Sequence, residues 1–386
     1  MSITKTIIPM LEALPEFAGR YSNLKCVNYD VITGVREGVF SIIFEAIDTT
    51  SNDKVIIKIF DPDRFDLYRL ECFSREAELL EKVISKKRCL QLIKTLDEFQ
   101  LSLPLSTGIN IDVKLKYFVT EHLPISIINE FYSPTAKSNM EVLDKIRIFK
   151  QIVLAIAALH RYEIAHRDLK PDNLRAYIEK LKHVVVAIDY GTAVSANQKH
   201  IASTYPSSVG ATGYASPEAL VGLAGDRDIG HLTDYFALGC LFFELFEYDF
   251  LFNAIEAANN KRYYSSIQIL RSQIDFSQEI KPQWNALLDK FHVIIRYPQF
   301  EKRHGIPQAI IGYMNQILFW LIQFDYRKRD SDLDQINRAL DICIRIIENE
   351  TVYLKILAQR KTRKEQQRIK QERIAKTFQN NGVDHV

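Results

Sequence analysis

His166-Arg167-Asp168-Leu169-Lys170-Pro171-Asp172-Asn173 stands where a long helical pattern ends and two short strand-like runs begin. The pattern H-R-D-L-x-x-x-N fixes five positions, and at about 1/20 per position a chain of this length would contain it by chance roughly once in ten thousand cases. Ahead of it, MEVLDKIRIFKQIVLAIAALHRY (140–162) carries apolar residues at three- and four-residue spacing, as a helix with one buried face does. Behind it, LRAYIEK (174–180) and HVVVAID (183–189) read as a β-pair. Helical periodicity returns at about 231–247, 283–295, 308–323 and 331–348.

The N-terminal part has a different character. VNYDVIT (27–33), FSIIFEAID (40–48) and KVIIKIF (54–60) are rich in β-branched and aromatic residues and are separated by the turn signals TGVREG and TTSND, so an antiparallel meander is expected. A charged helix from Arg64 to about Ile84 and a strand at LKYFVTEHL (115–123) follow. The layout is α+β and bilobal: a small β-rich lobe with one helix over 25–123 and a larger, mainly helical lobe over 124–348. Residues 1–24 are expected to be an N-terminal extension, and 349–386 a basic tail, helical or partly disordered.

Composition agrees with a globular chain, with 47% apolar and 25% charged among 386 residues, which excludes collagen-like or wholly disordered architectures. Five cysteines without a C-x-x-C pair point away from a zinc ribbon or a secreted disulfide framework and towards a reducing, cytoplasmic setting. The longest apolar runs fall short of the roughly 18 residues that span a bilayer, so no membrane insertion is expected. The net charge of +2 conceals a split: residues 351–386 hold nine Lys and Arg against three Asp and Glu, a surplus of +6 over a body at −4. That basic tail is a candidate to contact an acidic partner, nucleic acid or the acidic body of its own chain, beside the plainer reading of a solvated terminus.

The loop at 166–173 resembles the catalytic loop of eukaryotic-like serine/threonine protein kinases, and other motifs of that family follow in order. Asp189-Tyr190-Gly191 is similar to Asp-Phe-Gly, and Lys58 in VIIK resembles the strand lysine that contacts the α- and β-phosphates. Glu76 in SREAELLEKV resembles that lysine's helix partner. Ser216-Pro217-Glu218 resembles Ala-Pro-Glu, Asp325-Tyr326-Arg327-Lys328-Arg329 the segment whose arginine pairs with that Glu, and His231 to Gly239 the buried central helix of the large lobe. The resemblance covers about residues 25–346 and implies a bilobal kinase fold, ATP and Mg²⁺ as cofactors, and a protein substrate. It implies Asp168 as acceptor of the hydroxyl proton, Lys170 facing the transferred phosphoryl group, and Asn173 and Asp189 as metal ligands. Lys170, two residues after Asp168, is the serine/threonine signature. His166, and the pair Glu218 and Arg329, are expected to be structural. Arg167 resembles the arginine that grips a phosphorylated activation loop, and Ser203, Thr204, Ser207 and Ser208 form the candidate autophosphorylation region.

Four positions depart from the family pattern. Where G-x-G-x-x-G is expected, the chain has Arg36, Gly38 and Ser41, which implies a stiffer phosphate lid with Arg36 as a possible phosphate contact. Ile56 replaces the usual alanine above the adenine slot, and Arg175 replaces an aliphatic residue below it. The connector Tyr117 to Leu123 fits, with Thr120 as gatekeeper and the backbone of Glu121 and Leu123 as adenine partners. Ala211 stands where a threonine would bridge Asp168 and Lys170, with Thr212 next to it. Three readings stay open at this stage: an active serine/threonine kinase able to autophosphorylate, a catalytically weak pseudokinase scaffold, and the same fold acting on a small molecule or transferring a nucleotidyl group.

Overall fold

The computed structural model describes residues 2–36, 38, 41–104, 110–195, 210–291, 294–302, 305–329 and 332–381. In the N-terminal part, α1 (Ile3–Glu12) precedes β1 (Tyr21–Cys26), β2 (Ser41–Asp48) and β3 (Lys54–Phe60), and α2 (Leu67–Lys82) separates these from β4 (Leu92–Pro104) and β5 (Asn110–Glu121). The five strands form one antiparallel sheet in the order β1-β2-β3-β5-β4. Strand periodicity gives the sheet two apolar faces. Ile57, Ile59, Phe44 and Val119 pack with Ile7, Ile8 and Leu11 of α1, while Phe60 and Phe118 pack with Phe73, Ala77 and Leu80 of α2.

Three sequence expectations are corrected in this lobe. Residues 1–24 are not an appendage, because Ile7, Ile8 and Leu11 are fully buried and β1 begins at Tyr21. Pro9 lies inside α1 and costs one helical hydrogen bond, a loss that the buried apolar face outweighs. Residues 27–33 do not form the expected strand, because the Asp30 carboxylate accepts from the N–H of Ile32 (2.8 Å) and Thr33 (3.0 Å) and turns the chain. β4, unread in the sequence because LIKTLDEFQLSLP alternates poorly, is held by its long register against β5.

Beyond the connector come β6 (Ile125–Ser126), α3 (Pro134–Asn139), α4 (Val142–His160), β7 (Ile164–Ala165), β8 (Leu174–Glu179), β9 (Lys182–Ala187), β10 (Val194–Ser195) and α5 (Pro217–Leu220). Then follow α6 (Gly230–Phe246), α7 (Leu251–Ala258), α8 (Tyr263–Arg271), α9 (Ile280–Lys290), α10 (Gln308–Leu321) and α11 (Leu333–Asn381). α6 is apolar on every side and buried almost throughout, the pattern of a central helix. Phe149 of α4 stacks on its Phe242 at 4.4 Å, and Phe300 closes over Phe242, Phe243 and Phe246. α7 and α8 are too short to show clear periodicity in the sequence. α11 runs on from the expected helix into the basic tail, for which a helix was one of the two readings, and the pairs Arg147–Glu348 (2.7 Å) and Lys150–Asp341 dock its first half on α4. No helix among the described residues is long and apolar enough to cross a membrane.

The closeness of α6 to the end of α10 rests on Gly239, where an added Cβ would lie 2.3 Å from Ile322 Cγ2 and 3.1 Å from Leu321 Cβ. Gly239→Ala is therefore expected to destabilise the protein by about 1–3 kcal/mol in urea denaturation, through overpacking and despite the better helix propensity of alanine.

Candidate active site

β3 is a central strand, with Lys58 opposite Ile43 on β2 and Phe118 on β5, so its ammonium is delivered to a fixed place between the lobes. There Lys58 Nζ lies 2.6 Å from Glu76 Oε2 and 2.8 Å from Asp189 Oδ1. The second Glu76 oxygen accepts from the Tyr190 N–H at 3.1 Å, which ties α2 to the segment after β9. Asp189 has a left-handed backbone, φ 63°, and its side chain is 46% exposed. Burial raises the Glu76 carboxyl above its ordinary value even beside the lysine. At Asp189 burial acts in the same upward sense, but the Lys58 charge outweighs it and the carboxyl lies below its ordinary value; Lys58 itself is held above its own.

The loop between β7 and β8 is shaped from beneath by Asp234 of α6, which is 1% exposed. Its Oδ2 accepts from the His166 N–H (2.8 Å) and His160 Nε2 (2.9 Å), and its Oδ1 from the Arg167 N–H (2.8 Å). These bonds hold Arg167 at φ 67°. His166 is fully buried and its Nε2 donates to Ile188 O at 2.8 Å, a structural placement. Asp168 points the other way, its Oδ2 accepting from Asn173 Nδ2 at 2.9 Å and lying 3.4 Å from Lys170 Nζ. Asp168 Oδ1 accepts from the Ala211 N–H at 2.7 Å, so a backbone donor from Ala211 occupies the place of the expected threonine bridge. Gly210 permits the approach, at φ 89°, where a Cβ would stand 2.4 Å from Arg167 O.

The metal-ligand candidates are hard oxygens on facing segments. Asn173 spends its amide nitrogen on Asp168, leaving its carbonyl oxygen for a cation, and Asp189 keeps one oxygen clear of Lys58. One carboxylate and one amide suit Mg²⁺, which completes its shell with phosphate and water. No group of three or more His, Cys, Asp or Glu side chains placed to hold a metal ion is found among the described residues.

Of the residues that the resemblance assigns to an adenine slot, Ile56 is registered with Thr120 and Glu45, and Arg175 with Ser126 and Val186. Arg175 has no ion pair among the described residues. The Glu121 N–H is spent on Gln91 O (3.0 Å), so at that position only the carbonyl is left for the adenine-edge role that the resemblance implies. Gly38 has φ 90° and faces Asn28. Arg36 differs from the expectation: its guanidinium pairs with Asp61 and donates to Ser41 O (3.1 Å) instead of standing free for phosphate. The physical reason is that Asp61, buried after β3, needs a cation.

Arg167 Nε donates to Thr192 O at 2.6 Å; burial and the neighbouring Arg75 charge bring its pKa down to about 10. Arg75, which the sequence reading passed over, is 4% exposed and donates to Gly191 O at 3.1 Å; a buried arginine next to Glu76 carries no sequence signal of its own. Arg75 Nε and Nη1 and Arg167 Nη1 find no acceptor among the described residues. Ser203, Thr204, Ser207 and Ser208 lie outside the described residues. Glu218 and Arg329 form a fully buried pair, Nη2 to Oε2 at 2.9 Å, with Arg329 also bonded to Leu232 O and Gln323 O.

Residues 29–338 match the family model for the protein kinase domain. The chain is 26% identical over 232 residues, 58% of its length, to the serine/threonine-protein kinase prpf4B of Dictyostelium discoideum, of which the match spans 25%. It is 27% identical over 229 residues, again 58% of its length, to the stress-activated protein kinase JNK of Suberites domuncula, of which 55% is spanned. Rho-associated protein kinase 1 of Homo sapiens is 29% identical over 171 residues, 44% of this chain and 12% of that protein. The chain thus spans about half or less of the length of these relatives.

Asp234 yields a pH prediction. Burial raises its carboxyl, but the hydrogen bond from His160 and the Arg167 N–H win and hold it below the ordinary carboxylate value. A carboxyl depressed in the folded state contributes stability above its unfolded value of about 4 and loses that contribution as pH falls through the folded value. Asp234→Asn is expected to cost about 3 kcal/mol at pH 7 and to show a smaller further loss than wild type on acidification below about pH 4, measured by thermal melts across pH.

Proposed function

The chain belongs to the protein kinase domain family, and on that premise we propose that it transfers the γ-phosphoryl group of ATP to a serine or threonine hydroxyl of a protein. What carries the reading is the continuity of the charged network: Lys58 shared by Glu76 and Asp189, and Asp168 held by Asn173, Lys170 and the Ala211 N–H. A scaffold has no need to keep Lys58 and Glu76 buried, or to hold the other polar groups in mutual contact with them and with each other.

In this reading Asp168 orients the acceptor hydroxyl and takes its proton, while Lys170 neutralises charge on the phosphoryl group in flight. Lys58 steadies the α- and β-phosphates, and Glu76 keeps that ammonium in place and charged. Asn173 and Asp189 would hold Mg²⁺, which supplies charge neutralisation between the phosphates. Ile56 and Arg175 would flank the adenine, with Glu121 and Leu123 at its edge, and the guanidinium would offer the purine a cation–π contact where an aliphatic floor offers dispersion alone. The spare donors of Arg75 and Arg167 suit a phosphorylated hydroxyl from the 203–208 region, so activity rises after autophosphorylation. The five free cysteines support a reducing, cytoplasmic setting. The pseudokinase alternative is favoured by one feature, the bulk of Ile56 and Arg175 around the adenine slot.

Intact-mass spectrometry after incubation with Mg-ATP tests the proposal. Increments of about 80 Da are expected in wild type and none in Asp168→Asn. Turnover of Asp168→Asn on a peptide is expected to fall by roughly 10²–10⁴-fold. A folded protein that binds Mg-ATP and modifies no substrate would establish the pseudokinase, and an increment of about 329 Da would establish nucleotidyl transfer. Arg167→Ala is expected to abolish the rate difference between phosphorylated and phosphatase-treated protein, read in initial-rate assays.

A further inference from the structure

Asp61, the first residue after β3, is 1% exposed, and three parts of the chain converge on its carboxylate. Oδ1 accepts from the Thr4 hydroxyl of α1 and from the Asp63 N–H (2.9 Å), and Oδ2 pairs with Arg36 Nη1. Arg36 arrives from the segment between β1 and β2, two residues before Gly38, and its Nη2 also donates to Ser41 O. That carbonyl receives a second donor, Asn28 Nδ2 at 2.9 Å, while Asn28 Oδ1 accepts from the Ile43 N–H at 2.8 Å. The base of the loop is therefore stapled by two side chains, one of which runs through a buried carboxylate to α1.

α1 is a firm anchor for that path. Asp63 accepts from the N–H groups of Ile3 and Thr4 (both 3.0 Å) at its first turn, and Glu12 Oε1 accepts from the Cys26 N–H (2.8 Å) at its last. Ile7, Ile8 and Leu11 are buried between these ends. Arg36 is the one cation paired with Asp61 among the described residues, so releasing it would leave a buried charge unpaired. A glycine at position 36 could make neither bond.

We infer that Thr4, Asp61 and Arg36 form a tether through which α1 positions Arg36 and the Ser41 start of β2 beside the proposed nucleotide site, with Arg36 a positioning residue and not a phosphate ligand. The inference rests on the proposed nucleotide site. The tether limits the loop's freedom before ATP arrives, so less freedom is lost on binding. It also gives this chain an N-terminal handle on ATP affinity that a glycine-rich loop lacks.

The test is a double-mutant cycle on the full chain, read as the Kd for Mg-ATP by calorimetry together with KM and kcat. Thr4→Val removes the hydroxyl and little else; it is expected to weaken Mg-ATP binding about three- to tenfold with kcat unchanged, while Thr4→Ser retains wild-type affinity. In an Arg36→Gln background Thr4→Val is expected to have no further effect, because both changes break one path. Equal effects of Thr4→Val in both backgrounds, or none in either, would overturn the inference. So would tighter binding by Asp61→Asn, since a freed Arg36 would then be a phosphate ligand. Amide hydrogen exchange over 41–48 in nucleotide-free protein separates this inference from the kinase proposal. Faster exchange in Thr4→Val supports the tether even if no nucleotide binds, and unchanged exchange refutes it.

Discussion

Lys58 carries one positive charge and serves two carboxylates from different parts of the chain, Glu76 at 2.6 Å and Asp189 at 2.8 Å. Bringing the charges of Lys58 and Glu76 out of water is unfavourable unless each finds partners, and here strand, helix and the turn after β9 are each placed so that they do. The arrangement makes the position of α2 inseparable from the position of Asp189. The Tyr190 N–H, bonded to the other oxygen of Glu76, repeats the same connection through the backbone. What holds the small lobe's helix in register is therefore also what aims the metal-ligand candidate.

A second buried carboxylate, Asp234, plays the corresponding part in the large lobe. It is fixed by a helix that is apolar all round, and it takes up the backbone donors of a loop whose shape includes a positive φ at Arg167. Strain of that kind persists only where surrounding bonds over-determine it. With His166 and Arg167 turned inwards, Asp168 is left facing the cleft, where Asn173 and the Ala211 N–H orient its two oxygens. Ala211 thus meets the need for a donor through its backbone, and Gly210 is the residue that makes this possible.

The departures around the nucleotide slot have a common physical form: each puts a larger or charged side chain where a small or aliphatic one is usual. Arg36 shows how such a change is accommodated. Its charge is absorbed by Asp61, and its length bridges to Ser41 O, which links the two sides of the turn into β2. Arg175, registered with Ser126 and Val186, has no ion-pair partner among the described residues to absorb its charge in the same way.

Much of the candidate site was legible in the sequence because it is built from short, ordered motifs: Lys58 meets Glu76 and Asp189, and Asp168 meets Asn173. The long helices α4, α6 and α10 were legible for the related reason that periodicity over many residues is hard to produce by chance. Other features depended on partners distant in the chain. β4 exists because β5 completes its hydrogen bonds, and residues 27–33 turn because the Asp30 carboxylate competes with strand pairing. α1 is part of the core because the sheet offers it a face, and Arg36 turns from phosphate because Asp61 is buried 25 residues on. Residue types and local spacing determined which chemistry the chain carries. Tertiary structure decided which charges pair, since a pairing energy depends on distance and burial that no stretch of sequence contains.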